Sequence, residues 1–168
     1  MSHRDDVKEF YKAFQQDEFI AERASLEPDN IAPERLHLKV ALIAEEFIEL
    51  IEAIYGKASG NILKTAFVEA QAADDGTRDL VEAADAVADL DYVLNGLSLE
   101  SGMPSDEIFA VVHESNMSKL GEDGKPVISD GVTPSVYDNL VKPKGKLLKG
   151  PNYFEATPEI VRILDEAK

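Results

Sequence analysis

Seven carboxylates at helical spacing are the residues of this chain best suited to chemistry. Glu45, Glu46, Glu49 and Glu52 fall in one segment, and Glu82, Asp85 and Asp89 in another. Successive residues of a helix turn by about 100°, so Glu45, Glu49 and Glu52 stack within about 60° of one another, while Glu46 points roughly 100° away. On the opposite side Leu36, Val40, Ile43, Phe47, Leu50 and Ile54 gather as a core stripe. Acids placed like this usually form a solvated face. Here Leu38, Leu42 and Ala53 share their side, so apolar residues flank them. The second segment sharpens the conflict. Leu80, Val81, Ala84, Val87, Leu90, Val93, Leu94 and Leu97 cover most of its circumference, yet Glu82, Asp85 and Asp89 form one narrow stripe. Asp91 and Asn95 lie on the far side and can serve as the wet face.

Carboxylates on a mostly apolar helix must be paired, protonated or bound to a cation. Arg78 is the only Lys or Arg between Lys64 and Lys119. A bound divalent cation is the economical expectation. Only oxygen ligands are on offer, which suits a hard ion of octahedral preference, Mg²⁺ or Mn²⁺. No twelve-residue calcium loop is present, and no Glu-x-x-His pair of the di-iron type. Carboxylates from two facing helices hold Mg²⁺ where phosphate oxygens complete its shell.

The composition narrows the setting. The chain has 168 residues, 33 acidic against 17 basic, for a formal net charge of −16. Such a balance argues against nucleic-acid and anionic-membrane surfaces. There is no cysteine, which excludes disulfides, thiolate zinc, iron–sulfur clusters and a cysteine nucleophile. No apolar run approaches the ~18 residues of a membrane span, and residues 1–4 do not open a signal peptide. A cytoplasmic, soluble protein is expected.

The elements that must position these acids are helical. Asp5–Gln16 carries Val7, Phe10, Tyr11 and Phe14 at helical spacing. Pro33 suits the first turn of a helix over Glu34–Tyr55, and Gly56 stops it. A weaker helix is expected around Ile62–Ala72. Thr77 or Asp79 starts a long one running to about Ser101, with Gly102 as its cap. Pro104 opens another, through Met117 to Leu120. Beyond Gly121 glycine and proline concentrate, and the chain reads as turns and extended pieces until a short terminal helix over Ile160–Ala167. The fold class is all-α, most simply a four-helix bundle with an irregular tail. Residues 1–120 form the helical catalytic domain, and residues 121–168 an extension packing on it or across a dimer.

Glu45-Glu46-x-x-Glu49 followed by Glu82-x-x-Asp85 resembles the EExxE…ExxD signature of the all-α nucleoside triphosphate pyrophosphohydrolases, the MazG-like and phosphoribosyl-ATP pyrophosphohydrolase-like superfamily. The gap between the halves is slightly longer than usual, through the 57–76 segment. The resemblance continues in Asp85-Ala-Val-Ala-Asp89-Leu-Asp-Tyr92, in His113-Glu-Ser-Asn-Met-Ser-Lys119 and in Gly145-Lys-Leu-Leu-Lys-Gly-Pro-Asn-Tyr153. It implies hydrolysis between the α and β phosphates of a nucleotide, giving a nucleoside monophosphate and pyrophosphate. It also implies Glu45, Glu49, Glu82 and Asp85 as metal ligands. Glu46, pointing elsewhere, is then the general base for the attacking water, or else a further ligand. Asp89 either holds a metal-bound water or is a surface acid.

Asn116 and Lys119 lie one turn apart. A Lys suits a phosphate oxygen, and an Asn can read a base edge or a phosphate. Compensation of the helix dipole is the plainer role of Lys119, worth about 0.3–1 kcal/mol. Lys142, Lys144, Lys146 and Lys149 form either a basic flap over the triphosphate or a solvated loop. Lys146, Lys149 and Tyr153, inside the family-like segment, are expected at the site or a dimer interface. The dimeric dUTPases and dCTPases are the nearest functional relatives implied, and dUTP is the expected substrate. Ala83, Ala84, Ala86 and Ala88, which keep the second acidic helix slim, suit a small pyrimidine. The rivals are phosphoribosyl-ATP hydrolysis and a non-catalytic helical oligomerisation module. Apolar residues around so much of both acidic helices also lead us to expect a homodimer or larger.

Overall fold

The structure is a computed structural model and describes residues 2–142 and 146–167. Lys144, of the basic run, lies outside the described residues. The fold is all-α. In chain order the helices are α1 His3–Ala13, α2 Pro33–Tyr55, α3 Lys57–Ala72, α4 Leu80–Ser101, α5 Ser105–Met117 and α6 Thr157–Glu166, with a short 3₁₀ turn at Asp17–Phe19. Each begins and ends for local reasons. At α1 the Ser2 hydroxyl accepts from the Asp5 N–H while the Asp5 carboxylate accepts from the Ser2 N–H, a reciprocal cap. Pro33 takes the first turn of α2, where its missing N–H costs nothing. Gly56 ends α2 at φ 90°, and Gly102 follows α4 at φ 69°, conformations that side-chain-bearing residues rarely adopt.

The chain divides into two compact units, Ala21–Val87 and Met1–Ile20 with Ala88–Lys168. The border falls inside α4. In the unit Ala21–Val87 the main packing is the α2–α3 hairpin. Its helices approach closely because Gly60 has no side chain: a Cβ there would stand 2.0 Å from Cγ of Glu52. Glu52 is therefore a packing residue, distinct in role from Glu45 and Glu49 on the same face. The close approach also explains why α3 begins at Lys57, five residues before the expected Ile62.

In the other unit α1 packs on α5, and α5 on α6. Phe14 and Ile163 are its buried apolar side chains, and His3 stacks on Phe109 with ring centroids 3.7 Å apart. Residues 118–142 and 146–156 run as turns and extended pieces, as their composition foretold. They are joined by isolated antiparallel bridges, Leu120 to Pro126, Ile128 to Leu147 and Pro134 to Val141. Buried hydroxyls anchor them: Ser129 Oγ donates to the Lys142 carbonyl at 2.8 Å. Among the described residues no helix is long and apolar enough to cross a membrane.

Candidate active site

The unit Ala21–Val87 holds both acidic pairs. Glu45 and Glu49 are four residues apart on α2, and Glu82 and Asp85 three apart on α4, so each pair shares a helix face. All four carboxylates are exposed, as are Glu46 and Asp89. Asp79 fixes where α4 starts: its Oδ1 accepts from the N–H groups of Val81 and Glu82 at 3.0 and 3.1 Å. Glu82 thereby sits in the first turn, where the helix dipole favours a negative charge.

Arg78, the base nearest in sequence to Glu82 and Asp85, pairs with Asp74. The Arg78 guanidinium forks onto Asp74, Nη1 to Oδ1 and Nη2 to Oδ2 both at 2.8 Å, and His37 Nε2 lies 2.8 Å from Asp74 Oδ2. The Arg78 fork, the Gly76 N–H and His37 hold the Asp74 carboxyl well below the usual carboxylate range. This network joins α2 to the loop before α4. It leaves Glu45, Glu49, Glu82 and Asp85 with no ion pair or side-chain hydrogen bond among the described residues. Four carboxylates lacking a cationic partner are a donor set that fits a hard divalent ion. Within the single chain α2 and α4 do not gather them into one cluster. Among the described residues, three ligand-type atoms come within 4.8 Å of one another at Asp6, Glu9 and His113, where α1 meets α5.

An apolar cavity of about 550 Å³ lies in the same unit, walled by Leu36, Val40 and Ile43 of α2, Phe67 of α3 and Ala83 and Val87 of α4. His37, Asp74 and Arg78 stand at its polar edge. Asp74 and Arg78 lie only four residues apart, but His37 joins them from 37 residues away, a contact that no short-range sequence signal marks.

The other unit places the remaining candidates. Lys119 Nζ donates to Asn116 Oδ1 at 2.6 Å, so these two act as a pair. Two serines in the same stretch do structural work instead. The buried Ser115 hydroxyl donates to the Phe154 carbonyl at 2.8 Å, and Ser118 Oγ accepts from the Phe154 N–H at 3.2 Å. Gly150 completes the clamp, its N–H donating to the Lys119 carbonyl at 3.0 Å. Lys149 is held between two rings, with Nζ 4.3 Å from the Tyr137 centroid and 4.2 Å from that of Tyr153. Glu155 closes the group, 4.0 Å from Lys149 Nζ and accepting from the Tyr137 hydroxyl at 2.9 Å. Lys149 and Tyr153 thus meet in the tail, while Lys146 is exposed.

The phosphoribosyl-ATP pyrophosphohydrolase family model matches residues 7–116. The chain belongs to that family. The matched stretch of this phosphoribosyl-ATP pyrophosphohydrolase family member runs from α1 to α5, takes in both acidic pairs with Glu46 and Asp89, and ends on Asn116. It makes the protein a nucleotide pyrophosphohydrolase. The fold is also that of a candidate NTP pyrophosphohydrolase from Exiguobacterium sp. 255-15, known from a crystal structure at 1.78 Å resolution. The likeness has a TM-score of 0.66 at 23% identity and covers 100% of this chain and 99% of that one. No curated protein matches the chain.

Proposed function

We propose that the protein is a Mg²⁺-dependent nucleoside triphosphate pyrophosphohydrolase that cleaves between the α and β phosphates, with dUTP as its best substrate. The observation that carries this reading is the pair of carboxylate couples, Glu45 with Glu49 and Glu82 with Asp85, inside the matched stretch and without a cationic partner among the described residues. These four residues would hold the metal, which supplies neutralisation of the triphosphate charge and polarisation of the phosphoryl oxygens; Mn²⁺ would serve the same donors. Glu46, turned roughly 100° from Glu45, accepts the proton of the attacking water as it closes on the α-phosphorus. Asp89, one turn beyond Asp85, holds the neighbouring water in place. Lys119, oriented by Asn116, meets a phosphate oxygen, and Lys146 and Lys149 with Tyr153 contribute from the tail. Pyrophosphate leaves as an anion needing little protonation. The Exiguobacterium protein, described as an NTP pyrophosphohydrolase, supports the triphosphate as substrate class.

The choice of base rests on slim packing. Ala83, Ala84, Ala86 and Ala88 leave room beside the acids of α4 for a pyrimidine. The family description favours a second reading, phosphoribosyl-ATP as substrate of the same acids. Specificity constants for dUTP, dCTP, dTTP, dATP and phosphoribosyl-ATP separate the two. Hydrogen bonding to a base edge discriminates by up to about 10⁴-fold, shape alone by about 10–200-fold. A tenfold or larger lead for any purine nucleotide would overturn the pyrimidine assignment.

A further inference from the structure

Helices α2 and α4 carry one acidic pair each, and a metal that uses both pairs needs the two helices held in one register. Over residues 80–87, α4 packs extensively on neither α2 nor α3. Leu36, Val40 and Ile43 of α2 and Ala83 and Val87 of α4 wall the same apolar cavity. Apolar contact is non-directional, so it draws helices together without choosing how far one slides along the other. Hydrogen bonds between charged groups do choose, because each has a preferred length and angle.

Such bonds gather at the polar edge of that cavity. Beside the Arg78 fork, Asp74 accepts from the Gly76 N–H at 3.0 Å and meets His37 Nε2 at 2.8 Å. Its carboxyl is held ionised and can only accept, so the His37 proton sits on Nε2. Arg78 Nη1 also donates to the Thr77 carbonyl, and Asp75 Oδ1 accepts from the Thr77 N–H, both at 2.8 Å. Gly76, at φ 83°, supplies the left-handed turn between them. Each residue from 74 to 79 is thus pinned, ending on Asp79, whose carboxylate caps α4 at Glu82. The Asp74 and Arg78 side chains are 28% and 23% exposed, so solvent screens the fork less than it would a surface pair. Within this network Arg78 and Asp74 shape the loop, whereas His37 is the member that α2 contributes. It lies eight residues, about 12 Å of helix, before Glu45.

We propose that His37, Asp74 and Arg78 are positioning residues that fix the start of α4 against α2, so that Glu82 and Asp85 serve the same metal as Glu45 and Glu49. This role rests on the metal reading given above. The two acidic pairs are not gathered among the described residues, and a joint at one end of the helices restricts how they close on one ion. Mg²⁺ demands near-ideal octahedral geometry at about 2.0–2.1 Å, which leaves little tolerance in that closure. The three residues act through the helices they join, with His37 as the tie between them.

Binding of Mn²⁺ alone, read from loss of the free-ion electron paramagnetic resonance signal on adding the whole protein, tests this without turnover. His37→Leu should weaken Mn²⁺ binding about 10–100-fold, the usual effect of losing a group that orients metal ligands. Its kcat should fall with KM for the nucleotide little changed, while the helical signal stays that of wild type. His37→Gln, whose amide nitrogen can stand where Nε2 stands, should restore most of the affinity. Arg162→Gln, which breaks an ion pair with Glu159 on α6, should bind Mn²⁺ as wild type does. If His37→Leu does not fold, Arg78→Lys, which keeps the charge and loses the fork, should show the same weakening. Undiminished affinity in the folded variant, no recovery in His37→Gln, or an equal loss in Arg162→Gln would overturn the positioning role alone. A wild-type protein that binds no Mn²⁺ at millimolar concentration would overturn the metal reading, and the positioning role with it.

Discussion

Gly150→Ala should be among the most damaging single changes outside the acids. Gly150 is buried, and a Cβ built on it would stand 2.2 Å from the Leu120 carbonyl oxygen, 2.8 Å from its carbon and 2.9 Å from the Lys119 oxygen. All three are backbone atoms, so no rotamer change relieves the clash. The 119–120 and 150 segments must part by about 1 Å to reach an ordinary contact. Overpacking of this kind costs about 1–3 kcal/mol. The Gly150 to Lys119 hydrogen bond, worth about 0.5–1.5 kcal/mol, goes with it. The combined loss of about 2–4 kcal/mol corresponds to a drop of about 5–15 °C in melting temperature for a chain of this size. Circular dichroism at fixed protein concentration reads it, with Pro151→Ala, at an exposed neighbour, as the near-neutral control. Because the same displacement moves Lys119, kcat/KM should fall as well, by up to about 10²-fold. A Gly150→Ala protein within about 0.5 kcal/mol of wild type would refute the close approach of the two segments.

Three further outcomes are expected. Glu49→Gln and Asp85→Asn should each lower kcat at least about 100-fold with the helical signal unchanged, since both side chains are exposed; full turnover in either variant, or in EDTA, would contradict the metal reading. Asp74 and Asp130 are held below the usual carboxylate range, Asp74 chiefly by Arg78 and Asp130, at about 2, chiefly by the Thr133 hydroxyl. Their stabilisation is therefore complete above the unfolded carboxyl value of about 4 and lost as pH falls through the lower native values. Arg78→Gln should move acid unfolding, followed by circular dichroism, to higher pH, and an unshifted curve would remove the network from the account. Lys149→Gln should cost about 1–2 kcal/mol through its two ring contacts, and an unchanged melting temperature would show that the rings do not need the charge.

Local signals carried most of the helix boundaries. Pro33 and Gly56 bracket α2, and Gly102 closes α4, because a fixed φ and a positive φ are properties of single residues. The start of α3 was hidden, since Lys-Ala-Ser-Gly-Asn has poor helix propensity and is helical through the contact of Gly60 with Glu52, a tertiary cause. The faces of the acids followed from spacing alone. Their partners did not: Arg78 turns to Asp74, which also meets His37, distant in sequence, and leaves Glu82 and Asp85 alone. The tail shows the same limit. Four lysines in eight residues fitted either a flap or a solvated loop, and the meeting of Lys149 with Tyr137, Tyr153 and Glu155 is one that periodicity cannot reveal.

The bond that breaks is the most direct test of the central claim. Phosphorus NMR of the products of dUTP with Mg²⁺ should show dUMP and pyrophosphate appearing together, with no orthophosphate, and neither should form in the Asp85→Asn protein. Release of orthophosphate and dUDP, or no turnover of any nucleotide in the panel, would contradict it.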